Sequence, residues 1–243
     1  MAPLDRVQIA AIGDTVDQLA DEARSAEAAG IDCIWTPELF RSSVTQATWL
    51  AAKTEKVGVA TGIAWAFTRS AFILAVTALD IDEVSGGRFR LGLGAGVKRL
   101  NETWHDVEYG KPAPHLRETI EATRLIMEKA GSGEPIRYEG EYQDIDIKGW
   151  IRPHKSVRER VPIYTAAMQE GMCRMAGDVA DGLIGHPMCP PLRSRPVSSA
   201  AGANGPTSTS CPRSAARSTT TRRGRWTRHG GRSPSTPPSA PTS

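Results

Sequence analysis

The sequence of 243 residues lacks the features of disulfide-rich, zinc-binding and membrane proteins. Its four cysteines have neither C-x-x-C spacing nor histidines at ligand spacing, so no disulfide framework and no metal site is predicted. No apolar run reaches the length of a membrane span, and the N-terminus M-A-P-L-D-R-V has no apolar signal core. We therefore expect reduced thiols, a cytoplasmic protein and no membrane partner.

Acidic and aliphatic residues both disappear near Pro191. All 27 acidic residues precede it, whereas nine arginines follow it, and Leu192 and Val197 are the last Leu and Val. A Ser, Pro, Arg and Thr segment of this kind cannot bury enough apolar surface to offset the entropy of ordering. The composition predicts a folded domain over residues 1–191 and a disordered basic tail over 192–243.

The composition of the tail can be interpreted in two ways. A basic tail can bind nucleic acid, but apart from Trp226 its arginines have no interleaved aromatic residues, so we expect no nucleic-acid partner. A shift of reading frame explains the composition better. In a GC-rich gene, moving the frame back one base over residues 207–221 permits an alternating strand and an acidic helix start. We predict that the tail is out of frame and that the domain is truncated.

Short apolar runs alternate with amphipathic stretches before Pro191, which is typical of strand–helix units on a parallel sheet. The predicted strands are Val7–Ile12, Ile31–Thr36, Val57–Ile63, Phe89–Ala95, Val161–Ala166 and Gly182–His186. The predicted helices are Thr15–Ala29, Ser43–Lys53, Ser70–Val84, His115–Ala130 and Glu170–Val179. Such regular alternation predicts an α/β fold, a (β/α)₈ TIM barrel truncated to about six units.

Two stretches depart from this alternation. Val97–Pro114 is predicted to be an insertion between a strand and the next helix, and its residues Asn101, Trp104 and His105 would lie either on a lid over the pocket or in an oligomer contact. Ile136–Ile147 alternates around a central glycine, which predicts a β-hairpin outside the barrel.

The stretch S-G-G-R-F-R-L-G-L-G-A-G, Ser85–Gly96, is the most informative motif. A glycine pair ends a helix, a short strand follows, and Gly92, Gly94 and Gly96 are expected to let a ligand approach bare backbone. Its spacing does not match the Rossmann fingerprint.

Together with V-A-T-G-I-A-W-A-F-T-R-S, H-L-R-E-T-I-E-A-T-R-L-I and M-A-G-D-V-A-D-G-L-I-G-H-P, this motif resembles the bacterial luciferase-like oxidoreductases over Val7–Pro191. The chain looks most like the branch that uses the deazaflavin coenzyme F420. The resemblance implies a TIM barrel, hydride transfer between F420 and a small organic substrate, and homo-oligomers among intact relatives. Two alternatives stay open: an FMN-dependent monooxygenase of the same superfamily, and a truncated fragment without function.

Barrel enzymes carry their working residues at the carboxyl ends of the strands, which selects the candidate sites here. Glu38 is the predicted acid–base group, in an apolar wall of Trp35, Leu39 and Phe40, with His105 on the insertion as a second catalytic candidate.

The resemblance adds the cofactor contacts. It implies a non-proline cis peptide facing the flavin ring at Gly62–Ile63 and a phosphate-contacting turn at Ala166–Ala167. The predicted cofactor-binding residues are Thr61, Gly62, Ile63, Gly94, Gly96, Ala166, Ala167, Gly185 and His186.

Overall fold

A computed structural model describes residues 8–158 and 160–185. The predicted tail and His186 lie outside the described residues. In chain order the elements are β1 (Gln8–Ala10), α1 (Val16–Ala28), β2 (Cys33–Thr36), α2 (Ser43–Lys53), β3 (Gly58–Thr61), β4 (Ala64–Trp65), α3 (Ala71–Val84), β5 (Phe89–Gly94), α4 (Lys98–Trp104), α5 (Pro112–Lys129), β6 (Ile136–Glu139), β7 (Asp144–Ile147), β8 (Ile163–Ala166), α6 (Glu170–Val179) and β9 (Gly182–Ile184).

The main sheet is parallel, and its strands follow one another in chain order. The order is β1-β2-β3-β5-β8-β9, and the short β4 also pairs with β5. The sheet is curled, because the rings of Trp35 on β2 and Tyr164 on β8 meet at 5.4 Å between centroids. Three strand spacings of a flat sheet would set these strands about 14 Å apart. The described residues thus form a curled α/β half-barrel, which is consistent with the predicted truncated TIM barrel.

Local capping fixes where the helices begin. Thr15 and Gln18 form a capping box at α1, in which the Gln18 N–H donates to Thr15 Oγ1 over 3.2 Å. Ser42 and Ser70 cap α2 and α3 in the same way, through the N–H groups of Thr45 and Ile73. These signals are local, which is why the predicted bounds of the three helices are correct to within one residue.

The first half of the 85–96 motif anchors the amino-terminal end of the barrel. Gly86 and Gly87 have φ angles of +63° and +86°, which end α3 and turn the chain into β5. The Arg88 guanidinium then donates to five oxygens. Four are the backbone carbonyls of Ala51, Thr54, Val57 and Ser85, and the fifth is the Thr54 hydroxyl. One side chain therefore joins the end of α2 to the starts of β3 and β5.

A buried ion pair lies beside this anchor. The Asp82 side chain is 2% exposed and accepts hydrogen bonds from Arg158, which also donates to the Phe89 carbonyl over 2.6 Å. The pair fastens the segment that leads into β8 against α3 and β5. It lies at the end of the barrel opposite the predicted site.

The insertion differs from its prediction. Residues 98–104 form a helix, α4, and α5 begins at Pro112 rather than at His115. Neither helix has a side-chain N-cap bond, so the local sequence signal for their starts is weak. The predicted hairpin is present as the antiparallel pair β6–β7. Within the described chain, no helix is both long and apolar enough to cross a membrane.

Candidate functional site

Two neighbouring clefts at the carboxyl ends of the parallel strands contain predicted site residues. The first, the β5–β8 cleft, has a volume of about 410 Å³ between the end of β5 and the turn from β8 into α6. Five of the predicted cofactor residues line it: Ile63, Gly94, Gly96, Ala166 and Ala167. The second, the aromatic cleft, has a volume of about 280 Å³ and is lined by Glu38, Phe40, Arg41, Trp65, Arg69, Trp104 and His105, among others. Both predicted catalytic residues therefore lie in the second cleft.

The glycines of β5 serve close packing of the strands. A Cβ on Gly92 would lie 1.9 Å from the Thr61 carbonyl oxygen, and one on Gly94 would lie 2.1 Å from Ile63 Cδ1. The expectation that a ligand approaches Gly92 is therefore wrong, because protein atoms already fill that space. Gly94 and Gly96 do border the β5–β8 cleft, and Gly96 has a φ of +66°.

Thr61 lies beneath the cleft rather than on it. Its side chain is fully buried, and its hydroxyl donates to the Gly92 carbonyl and accepts from the Gly92 N–H, both at 2.8 Å. Because both hydrogen-bonding functions are satisfied by β5, Thr61 joins two strands. It is not among the residues that line either cleft.

The Gly62–Ile63 peptide bond is cis, at the position that the resemblance implies. Gly62 packs against Trp35, where a Cβ would lie 2.8 Å from Trp35 Cβ, and its N–H donates to the Thr36 carbonyl. Ile63 passes over Gly94 and lines the β5–β8 cleft. Of Thr61, Gly62 and Ile63, Ile63 is the residue that lines the β5–β8 cleft.

The turn from β8 into α6 forms the opposite wall. Ala166 and Ala167 are followed by Gln169, which precedes α6 and makes no side-chain cap bond to it. The first N–H groups of a helix have no partner within the helix, so this end can accept an anion. Glu170 in the first turn is paired with Arg174, which offsets its repulsion of a negative ligand.

The insertion is fixed against the β5–β8 cleft by two of its side chains. Asn101 is fully buried, and its Nδ2 donates to the carbonyls of Ala95 and Val97 over 2.9 and 3.1 Å. The Tyr109 hydroxyl donates to the Gly96 carbonyl over 3.2 Å. Both side chains hold the loop after β5, so Asn101 anchors the insertion, and a lid role of the insertion stays a prediction.

Sequence reasoning missed an aromatic stack behind Tyr109. The His115 ring lies parallel between Phe67 and Tyr142, with centroids at 3.7 and 4.4 Å, and Tyr109 meets Phe67 edge to face. His115 Nδ1 donates to the Tyr109 carbonyl over 3.3 Å, since a carbonyl can only accept. Burial lowers the pKa of His115, although the Tyr109 carbonyl and the charges of Glu118 and Glu108 oppose this shift. No spacing in the sequence indicates this stack.

Glu38 lies just after β2, but its surroundings differ from the prediction. Leu39 and Phe40 line the same cleft as Glu38, but they are 51% and 96% exposed and do not enclose the carboxylate. Instead, both carboxylate oxygens accept from the Arg69 guanidinium, and Oε2 also accepts from the Trp65 N–H over 2.8 Å. Arg69 is 31 residues away, and only its place just before the Ser70 cap marks it in the sequence.

Of the remaining predicted residues, His105 lies in a cleft, Gly185 does not, and His186 is not described. His105 ends α4 and meets the Trp65 ring edge to face, with 5.3 Å between centroids. Gly185 follows β9, is exposed, and is not among the residues that line the two clefts. His186 lies outside the described residues. Across residues 8–158 and 160–185, no group of three metal-ligating side chains comes together.

A larger groove of about 650 Å³ lies between α1 and α2 and shares Arg41 and Ser42 with the aromatic cleft. It is walled mainly by apolar and hydroxyl side chains, including Leu19, Val44 and Trp49. Apart from Arg41 and Ser42, its lining comes from α1 and α2 in the outer helical layer, away from the strand ends where barrel enzymes carry their reactive groups.

Comparison with known proteins identifies the family. A family model for luciferase-like monooxygenases matches residues 3–199. The chain belongs to this family. An F420-dependent glucose-6-phosphate dehydrogenase of Kineococcus radiotolerans is 32% identical over 179 residues, 69% of this chain and 51% of that protein.

Two solved structures share the fold. The coenzyme F420-dependent tetrahydromethanopterin reductase from Methanopyrus kandleri superposes with a TM-score of 0.62 at 24% identity, covering 74% of this chain and 54% of that one. The oxygenating constituent of a diketocamphane monooxygenase from Pseudomonas putida, in complex with FMN, gives 0.57 at 19% identity, covering 71% and 55%. The chain spans about half the length of the curated relatives it matches. The three relatives and neighbours named here are enzymes, of which two are F420-dependent by name and the third was solved in complex with FMN.

Proposed function

We propose that the chain binds coenzyme F420 in the β5–β8 cleft and acts as an oxidoreductase on a small organic substrate. When bound, the deazaflavin would supply the hydride chemistry, and the protein would hold and orient it. The observation that carries the proposal is the meeting of Ile63, Gly96 and the Ala166–Ala167 turn in one cleft at the strand ends. The F420-dependent relative at 32% identity supports the choice of coenzyme.

The residues of the cleft fit a flat ring joined to an anionic chain. Ala166, Ala167 and Gly96 have small or no side chains, which leaves room for a ring beside Ile63. The uncapped start of α6 borders the same cleft through Gln169 and Met172, and its free N–H groups would hold a phosphate. Tyr109 and Asn101 would keep the Gly96 wall in place.

The two predicted catalytic residues receive different roles. Glu38 is bound by Arg69 and the Trp65 N–H, so we assign it to positioning Arg69 rather than to proton transfer. His105 lies exposed at the rim of the aromatic cleft, where its imidazole would exchange a proton with the substrate.

An FMN-dependent monooxygenase is the second candidate. The favouring observation is the shared fold with the FMN-bound diketocamphane monooxygenase. Both coenzymes carry a flat tricyclic ring and a phosphate, so the same cleft residues would hold either one. Direct titration distinguishes them.

Substitution of Ala166 by Leu tests the site. The purified chain is titrated with F420 and, separately, with FMN, and the change in coenzyme absorbance or fluorescence gives Kd. Ala166→Leu fills the cleft and is expected to weaken binding at least about tenfold, which is 1.4 kcal/mol. Ala28→Leu, on the exposed face of α1, is the matched control and is expected to bind normally. Equal binding by both variants, or no binding of either coenzyme by the unaltered chain, would contradict the proposal.

A further inference from the structure

The aromatic cleft presents an unusual amount of exposed apolar ring to solvent. Phe40 is 96% exposed and Trp104 is 59% exposed, although both line the same cleft as the buried Trp65. These rings come from three segments, namely the loop after β2, the strand β4 and the end of α4. Large apolar side chains that converge on a concave surface at the active end of a barrel mark a ligand site.

The aromatic cleft has more positive than negative side chains. Glu38 and Arg69 neutralise each other at its base, where their side chains are 13% and 22% exposed. Arg41, on the rim that this cleft shares with the groove between α1 and α2, donates to the Asp14 backbone carbonyl, and within the described chain no carboxylate lies at ion-pair distance from it. The cleft therefore carries one uncompensated positive charge next to its exposed rings.

The aromatic cleft lies directly beside the β5–β8 cleft. A Cβ on Gly96 would lie 3.4 Å from the Trp65 ring, so Trp65 and Gly96 form a ridge with one cleft on each side. A molecule that rests on Phe40 and Trp104 and reaches across this ridge would bring its far end next to whatever occupies the first cleft. Hydride transfer requires such close approach of the reacting atoms.

From these observations we infer that the aromatic cleft binds the substrate, and that the substrate has a flat aromatic or conjugated part and one anionic group. The flat part would stack on Phe40 and Trp104, and the anion would pair with Arg41. The inference rests on the proposed function, because it assigns the neighbouring cleft to the coenzyme.

Three small probes separate the ring from the charge. 2-Naphthoate has both features, 2-naphthalenemethanol has the ring alone, and cyclohexanecarboxylate has the charge without a flat ring. Each is titrated calorimetrically into the full chain, with and without saturating F420. We expect 2-naphthoate to bind best, and Phe40→Ala and Trp104→Ala each to weaken it about fivefold. Arg41→Gln should weaken 2-naphthoate by a similar factor and leave 2-naphthalenemethanol unchanged.

The controls keep the outcomes distinct. Phe40 and Trp104 are exposed, so their removal should leave thermal unfolding unchanged. Ile151→Ala, at an exposed site that lines neither cleft, should bind 2-naphthoate normally. Equal 2-naphthoate affinity in the Phe40→Ala, Trp104→Ala and unaltered chains would overturn the inference, as would no binding by a chain that binds F420. If 2-naphthoate binding depends on Phe40 but neither coenzyme binds, the aromatic cleft is a ligand site and the proposed function is wrong.

Discussion

At the scale of single residues, the glycines of β5 show how a motif can be recognised for the wrong reason. The series Gly92, Gly94 and Gly96 indicates close approach to backbone, and close approach is what the structure has. At Gly92 the approaching group is the Thr61 carbonyl of the neighbouring strand. Sequence alone cannot distinguish a ligand from a neighbouring strand, because both require the absence of Cβ.

Gly92→Ala tests this explanation. The added Cβ would lie 1.9 Å from a backbone oxygen that cannot move without displacing β3. We expect a loss of at least about 3 kcal/mol in the free energy of unfolding, measured in urea by tryptophan fluorescence. Gly131→Ala, where a Cβ meets nothing within 4 Å, should change it by less than about 0.5 kcal/mol. Similar stabilities for the two variants would rule the explanation out.

The Glu38–Arg69 pair marks the limit of residue-level prediction. The barrel rule places Glu38 correctly at a strand end. Its partner comes from the loop after β4, and the two meet only because β2, β3 and β5 are adjacent in the sheet. The environment of a carboxylate depends on such long-range contacts, so its predicted apolar wall could not have been checked from the sequence.

At the scale of elements, prediction succeeds where the signal is local. The helices α1, α2 and α3 begin at Thr or Ser caps that bond within three residues, and their predicted bounds are accurate. The insertion has no such cap, so α4 is found only in the structure. Its role depends on Asn101 and Tyr109, which connect it to the loop after β5.

The His115 stack predicts a pH dependence of stability. Burial holds the folded-state pKa of His115 below its ordinary value of 6.5, so below that pH the unfolded chain binds a proton that the folded chain excludes. Folding stability therefore falls as the pH decreases through this range. In His115→Phe the stack remains but the titrating group is gone. The free energy of unfolding in urea is measured for both chains at pH 8 and pH 5. We expect the unaltered chain to lose more stability than the variant between pH 8 and pH 5.

The matched control for this comparison is His154→Phe, at an exposed position. A stability difference between His115→Phe and the unaltered chain that is the same at both pH values would mean that His115 is not held neutral by its surroundings.

At the scale of the whole molecule, the described chain is a set of strand–helix units whose strand ends converge on two adjacent clefts. The strand–helix alternation predicts this architecture, and the order of the strands follows the order of the chain. The outer strands β1 and β9 have partly exposed apolar residues, Ile9 at 38% and Leu183 at 47%. The proposed division of the domain at Pro191 and the out-of-frame origin of the tail remain predictions, which the coding DNA near residues 190–195 would test.

Hydrogen–deuterium exchange of the full chain with and without F420 tests whether the coenzyme occupies the β5–β8 cleft as proposed. We expect slower exchange at residues 94–97 and 166–172 when F420 is bound, with the β6–β7 hairpin unchanged. Protection confined to the groove between α1 and α2, or no protection at saturating coenzyme, would contradict it.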